Sequence, residues 1–474
     1  MCPTDFLIHL CQDIQSKMLP RGHHIRLQFL GTISGNLINL TYGLTIGWII
    51  VYTNQFHSSA NPLKVPPLDP IEVKWIELSL YIGGLIGTIF LTMNGDVFGR
   101  KYTLVVLIVP QGFAWLSKML ATNATEVYIG RFLSGFSAGG SINLIVLFVT
   151  ELADDKFRGR LSSILPLSIT IGMLIIFISN IYTSFMNIAY IALTVLFLYL
   201  CLYTFFPDTP RQLYKIRRKE QAINSLQIYK DISDLECQTD DCYQIEVKKM
   251  RRALIAESGC ILQNSGKATL KSLIISVALI ILNVYVNWFV MHHLTKHQLL
   301  DRALLSISDF RIVIGVCQVA GSLLCLTIVD FVERKYILLA SLVGITVSQV
   351  IYAIYDAYFT DKTSLPILFI AIAAFSLHFG VYPLTFVLIP EIIPERIRIY
   401  AVTFVFSLMW MLMFALSYSE TALADYLYSA NYVIVPIFIA INIVCSLIFW
   451  ILIPPTKKKS YGQIFSHLNF GLDL

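Results

Sequence analysis

The chain has 474 residues, of which 56% are hydrophobic and only 14% are charged, and its formal net charge is +5. Its mean hydropathy is +0.69. Such a composition leaves too few polar side chains to coat a soluble globule, so it excludes a soluble globular protein and indicates a protein whose solvent is the bilayer.

Apolar segments long enough to cross a membrane recur along the whole chain, since a spanning helix needs about 20 apolar residues. The first half contains six, at 27–53, 71–93, 102–120, 125–149, 161–182 and 186–206. The second half contains six more, at 270–291, 307–329, 336–356, 365–389, 399–423 and 430–453. Because these runs are continuous and do not alternate like the strands of a barrel, they predict an all-α integral membrane protein with twelve transmembrane helices.

Lysine and arginine are distributed unevenly between the two sides of this predicted bundle. The side of the N-terminus carries 27 of the 35, the opposite side carries 7, and Arg131 lies within a span. The positive-inside rule then predicts that both termini are cytosolic. The predicted organisation is a cytosolic N-terminus at 1–26, a six-helix bundle at 27–206, a cytosolic and partly helical linker at 207–269, a second six-helix bundle at 270–453, and a cytosolic tail at 454–474.

A charged signature occurs twice and indicates that the chain is duplicated. The segment 96–101 recurs 234 positions later at 330–335, each copy directly after an apolar run. Two further landmarks repeat at similar offsets: Glu151 with 158–160 against Glu391 with Arg398, and 207–211 against 454–458.

These repeated charges predict a conformational latch, because opposite charges at the cytosolic ends of helices can pair in one state and separate in another. The alternative is that they are ordinary flanking charges, but the positive-inside rule explains only the cations. The predicted latch residues are Asp96, Arg100, Glu151, Arg158, Arg160, Asp208 and Arg211 in the first half, and Asp330, Arg334, Glu391 and Arg398 in the second.

The sequence offers little for catalysis or metal binding, and we predict neither an enzyme nor a cofactor nor a metal site. Cys237 and Cys242 support a zinc site only weakly, and His292 with His293 is better explained as an interfacial cap. Asn123 begins a glycosylation sequon on the predicted exoplasmic side. The basic runs of the linker indicate solvated loop charges or contacts with anionic lipid, and no nucleic-acid partner.

Taken together, these landmarks resemble the sugar porter family of the major facilitator superfamily, from about Gly31 to Ile464. Further matching landmarks are Trp75 before Gly83 and Gly87, Gly95 with Gly99 and Lys101, Gly130 with Gly135 and Gly139, and Pro390. The segment 43–48, which ends in Trp48, looks most like the insect facilitated trehalose transporter branch. The resemblance implies two six-helix bundles around a central cavity that is reached alternately from each side.

The resemblance also implies a sugar site of amide side chains and an aromatic ring, and here that site is degenerate. By position, the family's amides fall on Ile281, Leu282, Pro166 and Met409, and one of its tryptophans falls on Phe386. Asn287, Gln318 and Trp410 retain an amide or a tryptophan, so that the expected solute contacts are Asn287, Gln318, Phe386 and Trp410. The alternative is that the two amides join helices and that the two aromatic side chains belong to the apolar core.

The first span, 27–53, contains no carboxylate, which favours facilitated diffusion over proton coupling. Arg131 is the one clear charge deep in the first-half spans, and the resemblance makes it a structural anchor. We therefore expect a multi-pass plasma-membrane uniporter, by default a monomer, with trehalose or a hexose as its solute. Two alternatives remain open: a carrier for another small organic solute, and a receptor or sensor that keeps the fold without transport.

Overall fold

The computed structural model describes residues 24–58, 63, 66–183, 185–230, 266–295, 306–358, 365–422 and 431–470. All regular elements within these ranges are helices. The weakly supported zinc pair, Cys237 and Cys242, and the basic run at 248–252 lie outside the described residues, as do the side chains of His292 and His293.

The described part of the first half forms seven helices: α1 (His24–Phe56), α2 (Pro70–Phe98), α3 (Arg100–Val106), α4 (Ile108–Leu120), α5 (Ala124–Leu152), α6 (Arg158–Tyr182) and α7 (Phe185–Tyr203). Two short helices follow, α8 (Pro210–Lys215) and α9 (Lys219–Lys230). The second half contains α10 (Gly266–Thr295), α11 (Ile307–Ile328), α12 (Arg334–Tyr358), α13 (Leu365–Phe379), α14 (Val381–Ile392), α15 (Arg398–Ala422) and α16 (Asn431–Leu452), and α17 (Tyr461–Phe470) comes last.

Within the described residues, ten helical segments are long and apolar enough to cross a membrane, with α3–α4 and α13–α14 each counted as one. The helices α1 and α16 stand where the first and last predicted spans were expected. α1 carries more polar residues than the others, among them Asn36, Asn39 and Thr41, and the described apolar part of α16 is short, Ile439–Leu452.

Two of the continuous runs expected from the sequence are divided in the structure. The run at 102–120 is divided at Leu107 into α3 and α4, and the run at 365–389 is divided at Gly380 into α13 and α14. At Gly380 the hydroxyl of Ser341 donates to the carbonyl oxygen of Ser376 at 2.6 Å and accepts from the backbone N–H of Val381 at 3.1 Å. The break therefore keeps its backbone groups hydrogen-bonded inside the bundle, where water is absent.

Glycine is also required at Gly380 because the serine leaves no room for a side chain. A Cβ at this position would lie 2.4 Å from the Cβ of Ser341. Apolar periodicity cannot reveal such a contact, because it comes from a helix 40 residues away in the chain.

Glycines allow the helices of the first half to pack backbone to backbone. A Cβ on Gly87 in α2 would lie 2.0 Å from the carbonyl oxygen of Phe136 in α5, and one on Gly135 in α5 would lie 2.0 Å from that of Leu80 in α2. A Cβ on Gly43 in α1 would lie equally close, 2.0 Å, to the carbonyl oxygen of Ile169 in α6. Small residues at such crossings are the usual means by which membrane helices gain packing energy.

Gly135→Ala is expected to destabilise the protein, because the carbonyl oxygen of Leu80 can yield only if α2 moves away from α5. Overpacking of this kind typically costs about 1–3 kcal/mol. Gly112→Ala in α4 is the matched control, since nothing lies within 4 Å of a Cβ added there. We expect a melting temperature several degrees lower for the first variant alone in detergent solution. Equal melting temperatures for the two variants would contradict this packing.

Candidate functional site

One membrane face of the bundle carries the residues predicted to form the latch. α2, α5, α11 and α14 end at this face, and α3, α6, α12 and α15 begin there. We call it the charged face, and the sequence predicts that it is cytosolic. The face at the other ends of these helices is called the opposite face.

A buried carboxylate at the charged face joins the two halves of the chain. Oε1 of Glu391 lies 2.9 Å from Nε of Arg158 in the first half and 3.0 Å from Nη2 of Arg334 in the second. All three side chains are about 1% exposed. The loss of one partner would leave an uncompensated charge in a water-poor site, which is strongly unfavourable.

Asp330 forms a second contact between the halves at the start of α6. Its carboxylate accepts from the backbone N–H of Arg160 at 3.1 Å and lies 3.7 Å from the Nε of that arginine. It also lies 3.6 Å from Nη2 of Arg334. A Cβ on Gly159 would lie 2.3 Å from Oδ1 of Asp330, so the close approach requires glycine.

Other first-half charges at this face pair with one another, among them Glu151, Arg100 and Asp96. Glu151 accepts from Nε of Arg100 at 2.8 Å and from the hydroxyl of Thr209 at 2.7 Å. Asp96 pairs with Lys215 of α8 at 2.7 Å, a partner that the sequence analysis did not name. Arg211 lies close enough to Glu151 to interact electrostatically. The predicted latch residues thus form one cluster between the halves and one within the first half.

Asp208 lies half-buried in the loop between α7 and α8, beside the second of these clusters. Burial raises the pKa of its carboxyl from 3.8 to about 6, although the backbone N–H of Thr209 and the charge of Arg100 act in the opposite direction. Gly99 has a φ of +112°, and a Cβ there would lie 2.7 Å from Oδ2 of Asp208. The junction between α2 and α3 therefore needs both the backbone freedom and the small size of glycine.

Helix α17 adds an aromatic contact at the charged face that the sequence analysis missed. The ring of Tyr461 lies 4.3 Å from the guanidinium of Arg158 and 3.9 Å from that of Arg398, which come from different halves. Its hydroxyl donates to the carbonyl oxygen of Thr150 at 3.1 Å. An aromatic ring between two guanidinium groups is a favourable cation–π arrangement.

A cavity of about 260 Å³ opens between the two halves, toward the opposite face. Its lining comes from α1, α2, α10 and α15, together with one residue just beyond α1. The polar lining residues are Thr53, His57, Lys74, Glu77, Tyr81, Asn287 and Trp288, and the other nine are aliphatic residues, methionines and a proline. Among the four solute contacts expected from the sequence, Asn287 alone lines this cavity.

Trp410 lies deeper in the bundle, in contact with the first half. The indole is fully buried, and a Cβ on Gly84 of α2 would lie 2.4 Å from it. Its ring meets that of Tyr42 edge to face, with the centroids 5.9 Å apart. Trp410 therefore fills the space between the halves in this conformation, and its solute-contact role remains a prediction.

The other two expected contacts also lie away from the cavity. Phe386 stacks on Phe406, with ring centroids 5.7 Å apart, and is buried in the second half. Gln318 is fully buried in α11, and its amide nitrogen and oxygen have no hydrogen-bond partner within the described part of the chain. Buried polar atoms without partners call for an explanation, and a solute or water that reaches Gln318 would supply one.

The positions that replace the family's amides are mostly buried and apolar. Leu282, Pro166 and Met409 are buried, whereas Ile281 is 48% exposed on the side of its helix. The structure instead shows an amide that the sequence analysis missed, Asn283. Its side chain is buried without a partner among the described residues, one helical turn from Asn287.

Lys118 corrects the expectation that Arg131 is the one clear charge deep in the first-half spans. The sequence analysis counted Lys118 on the opposite side, but the structure buries it between α1, α4 and α5. Its ammonium donates to the hydroxyls of Ser134 and Thr45, at 3.0 and 3.3 Å, and lies 3.8 Å above the ring of Trp115. Three acceptors for three N–H groups explain how the lysine can be buried.

Arg131 and Asn123 occupy different environments. Arg131 is fully buried and donates to the backbone carbonyl oxygens of Ile76 and Thr45, at 3.1 and 2.8 Å, which ties α5 to α2 and α1. Asn123 lies exposed at the opposite face, immediately before α5. Its glycosylation stays a prediction.

Comparison with known proteins assigns the chain to a family. A family model described as sugar (and other) transporter matches residues 35–466. The chain is 23% identical to a facilitated trehalose transporter of Apis mellifera ligustica, covering 82% of this chain and 77% of the relative. It is also 23% identical to the glucose transporter GlcP of Staphylococcus epidermidis, covering 78% of this chain and 82% of the relative.

Solved structures show the same fold. The proton:xylose symporter XylE bound to 6-bromo-6-deoxy-D-glucose superposes with a TM-score of 0.76 at 18% identity, covering 94% of this chain and 98% of that one. The inward-open conformation of the xylose transporter XylE from E. coli gives a TM-score of 0.67 at 17% identity, covering 94% and 99%.

The fold and the cavity between the halves define an all-α, multi-pass membrane carrier of the major facilitator type, which is not an enzyme. The chain belongs to the family of sugar and other transporters. The fold and family expected from the sequence are thereby confirmed.

Asp208 gives a prediction for the dependence of stability on pH. Because its pKa in the folded protein, about 6, lies above the ordinary value of 3.8, the folded state binds this proton more tightly than the unfolded chain does. The resulting stabilisation is complete below the ordinary pKa and is lost as the pH rises through about 6.

We therefore expect the melting temperature of the parent, relative to that of Asp208→Asn, to rise by a few degrees between about pH 7.5 and about pH 5. Both proteins are measured in the same detergent and buffers, so that other titrating groups cancel in the difference. A difference that stays constant across this range would contradict the assignment.

Proposed function

We propose that this chain carries a sugar across the membrane by facilitative alternating access, with trehalose or a hexose as the solute. The observation that carries the proposal is the asymmetry of the contacts between the halves. At the charged face, the buried pair of Arg158 with Glu391 holds the halves together, whereas toward the opposite face a cavity opens between the halves beside the hydrogen bond of Ser417 to Glu77. A carrier must close one entrance while the other is open.

We further propose that the charged face is cytosolic and that the destination is the plasma membrane. The excess of lysine and arginine on that side supports this orientation. In this orientation the cavity opens to the outside, and the buried ion pairs form the closed inner gate. Opening that gate would require Arg158 to separate from Glu391 as the halves tilt.

Facilitated diffusion is supported by α1, which contains no aspartate or glutamate. Proton-driven carriers need a titratable group within the membrane. Glu77 in α2 lines the cavity, however, and is such a group. The dependence of uptake on external pH therefore tests the uniport proposal directly.

The decisive experiment is the uptake of labelled trehalose and labelled glucose into oocytes that express the chain at a measured surface level. We expect saturable uptake of one sugar at least, with the same rate when external pH or sodium is changed. Uptake that increases at acidic pH would replace uniport with proton coupling. No uptake of either sugar at good surface expression would contradict the sugar proposal and favour another solute or a sensor.

A second candidate is a carrier for a less polar organic solute, and one observation favours it. Most of the cavity lining is apolar, and the amides expected by resemblance are replaced by Leu282, Pro166 and Met409. Each hydroxyl buried without a partner costs about 1–3 kcal/mol. Competition by deoxygenated and methylated sugars distinguishes the candidates, since a less polar site would prefer them to glucose.

Asn287→Ala is expected to weaken uptake without lowering surface abundance, because Asn287 is the expected solute contact that lines the cavity. The loss of one buried hydrogen bond worth about 1.4 kcal/mol corresponds to about a tenfold higher half-saturation concentration. Asn94→Ala is the control, since that exposed side chain donates to the carbonyl oxygen of Phe90 in its own helix. Equal uptake by Asn287→Ala and the parent would remove Asn287 from the site.

A further inference from the structure

The cavity contains a carboxylate that neither the sequence analysis nor the family resemblance assigns to the site. Glu77 lies on α2, and its side chain is 31% exposed where it faces the cavity. Lys74, one turn earlier on the same helix, lines the same wall, and its Nζ lies 3.0 Å from Oε2 of Glu77. The wall thus carries one charge of each sign.

Two hydroxyl groups hold the other oxygen of this carboxylate. Oε1 of Glu77 accepts from the hydroxyl of Ser417 at 2.7 Å and from that of Tyr81 at 3.4 Å. A carboxylate has about four acceptor positions. Described residues use three of them, which leaves one for a molecule in the cavity, and the long contact with Tyr81 is easily exchanged.

The charges of this wall determine which solutes fit. An ionised carboxylate only accepts hydrogen bonds, and hydroxyl groups are donors that suit it. Lys74 pairs with Glu77, so the charged groups that line this wall cancel, and Arg131, buried behind the wall, is close enough to act electrostatically on Glu77. The facing wall offers the amide of Asn287 and the indole of Trp288. Such a cavity suits a neutral molecule with hydroxyl groups on one side and an apolar face on the other.

The size of the cavity adds a further limit. Its volume of about 260 Å³ is below the range of roughly 300–1,000 Å³ that is usual for ligand pockets. A disaccharide needs about twice the space of a monosaccharide. The dimensions therefore favour a single sugar ring.

We propose that Glu77 is a specificity-determining residue of the carrier, which accepts a hydrogen bond from a hydroxyl group of a neutral monosaccharide, and that its pairing with Lys74 excludes charged sugars. The proposal rests on the sugar-transport function proposed above. It assigns to Glu77 part of the recognition for which the family uses amides at the positions of Ile281 and Leu282.

Glu77→Gln tests the proposal because it preserves the size of the side chain and removes the negative charge. Lys74 then gives the wall a net positive charge. We expect about a tenfold weaker effect of D-glucose, both in uptake and in the thermal stabilisation of the purified protein. We also expect D-gluconate, which has no effect on the parent, to stabilise the variant and to inhibit its uptake.

Lys74→Gln makes the opposite change and keeps the proposal testable if the first variant fails to fold. The wall then carries a net negative charge, and we expect protonated D-glucosamine, and not D-gluconate, to gain stabilising power. Glu72→Gln is the matched control on the same helix. Its carboxylate accepts from the backbone N–H of Asp69 and does not line the cavity, and glutamine serves equally well at that capping position.

Ser417→Ala separates recognition from a merely structural role. If Glu77 acts only by holding α2 against α15 through Ser417, this variant will reproduce the weaker glucose response of Glu77→Gln. We expect instead that Ser417→Ala leaves the preference for neutral over charged sugars unchanged.

The possible failures are distinguishable. A parent that transports glucose, with a Glu77→Gln variant that shows the same half-saturation concentration and no response to gluconate, would overturn this inference and leave the sugar-transport proposal in place. A parent that neither transports nor is stabilised by glucose or trehalose would overturn both.

Discussion

The arrangement of the two halves depends on one buried carboxylate that serves two arginines. Glu391 accepts Arg158 from the first half and Arg334 from the second at nearly equal distances, in a site from which water is almost excluded. Three charges in so dry a site are tolerated only together, because the removal of one leaves the others unpaired. At the opposite face the hydrogen bond of Ser417 to Glu77 also joins the halves, but a cavity lies beside it, so that face is the more open of the two.

A second set of contacts aligns the halves along the full depth of the membrane. On α15, Thr403, Trp410 and Ser417 are spaced seven residues apart and all contact the first half, Thr403 at α5 and the other two at α2. Ser417 bonds Glu77, and Trp410 covers Gly84. Near the charged face, the amide of Asn143 in α5 donates to the hydroxyls of Thr92 in α2 and Thr403 in α15, at 2.7 and 3.0 Å. Because α2 and α15 run antiparallel, these contacts form a continuous line along which the halves can tilt. The same line keeps Trp410 packed between the halves.

Much of this architecture could be predicted from the sequence, because bilayer thickness and backbone hydrogen bonding allow few solutions for long apolar runs. The repeated charges also pointed to the charged face, where the predicted latch residues lie. The choice of partners was less predictable, since the sequence does not fix which ends approach in space: Asp96 pairs with Lys215, and Tyr461 lies between two arginines. The break at Gly380 depends on a serine from another helix.

The candidate site was the least predictable part for a related reason. Whether a polar residue faces the cavity or the core depends on the rotation of its helix. Of the expected contacts, Asn287 lines the cavity, while Phe386 lies in the aromatic core. Lys118 was counted among flanking charges because its hydroxyl and indole partners lie on three different helices.

The most direct measurement of the central claim is the distance between the halves at the charged face, with and without the carboxylate that joins them. Spin labels at Val97 in the first half and Tyr336 in the second are well exposed, and the native cysteines would be replaced. We predict one short distance in the parent and a substantial longer population in Glu391→Gln, which glucose would shift further. Identical distance distributions in the two proteins would show that Glu391 does not hold the halves together at the charged face.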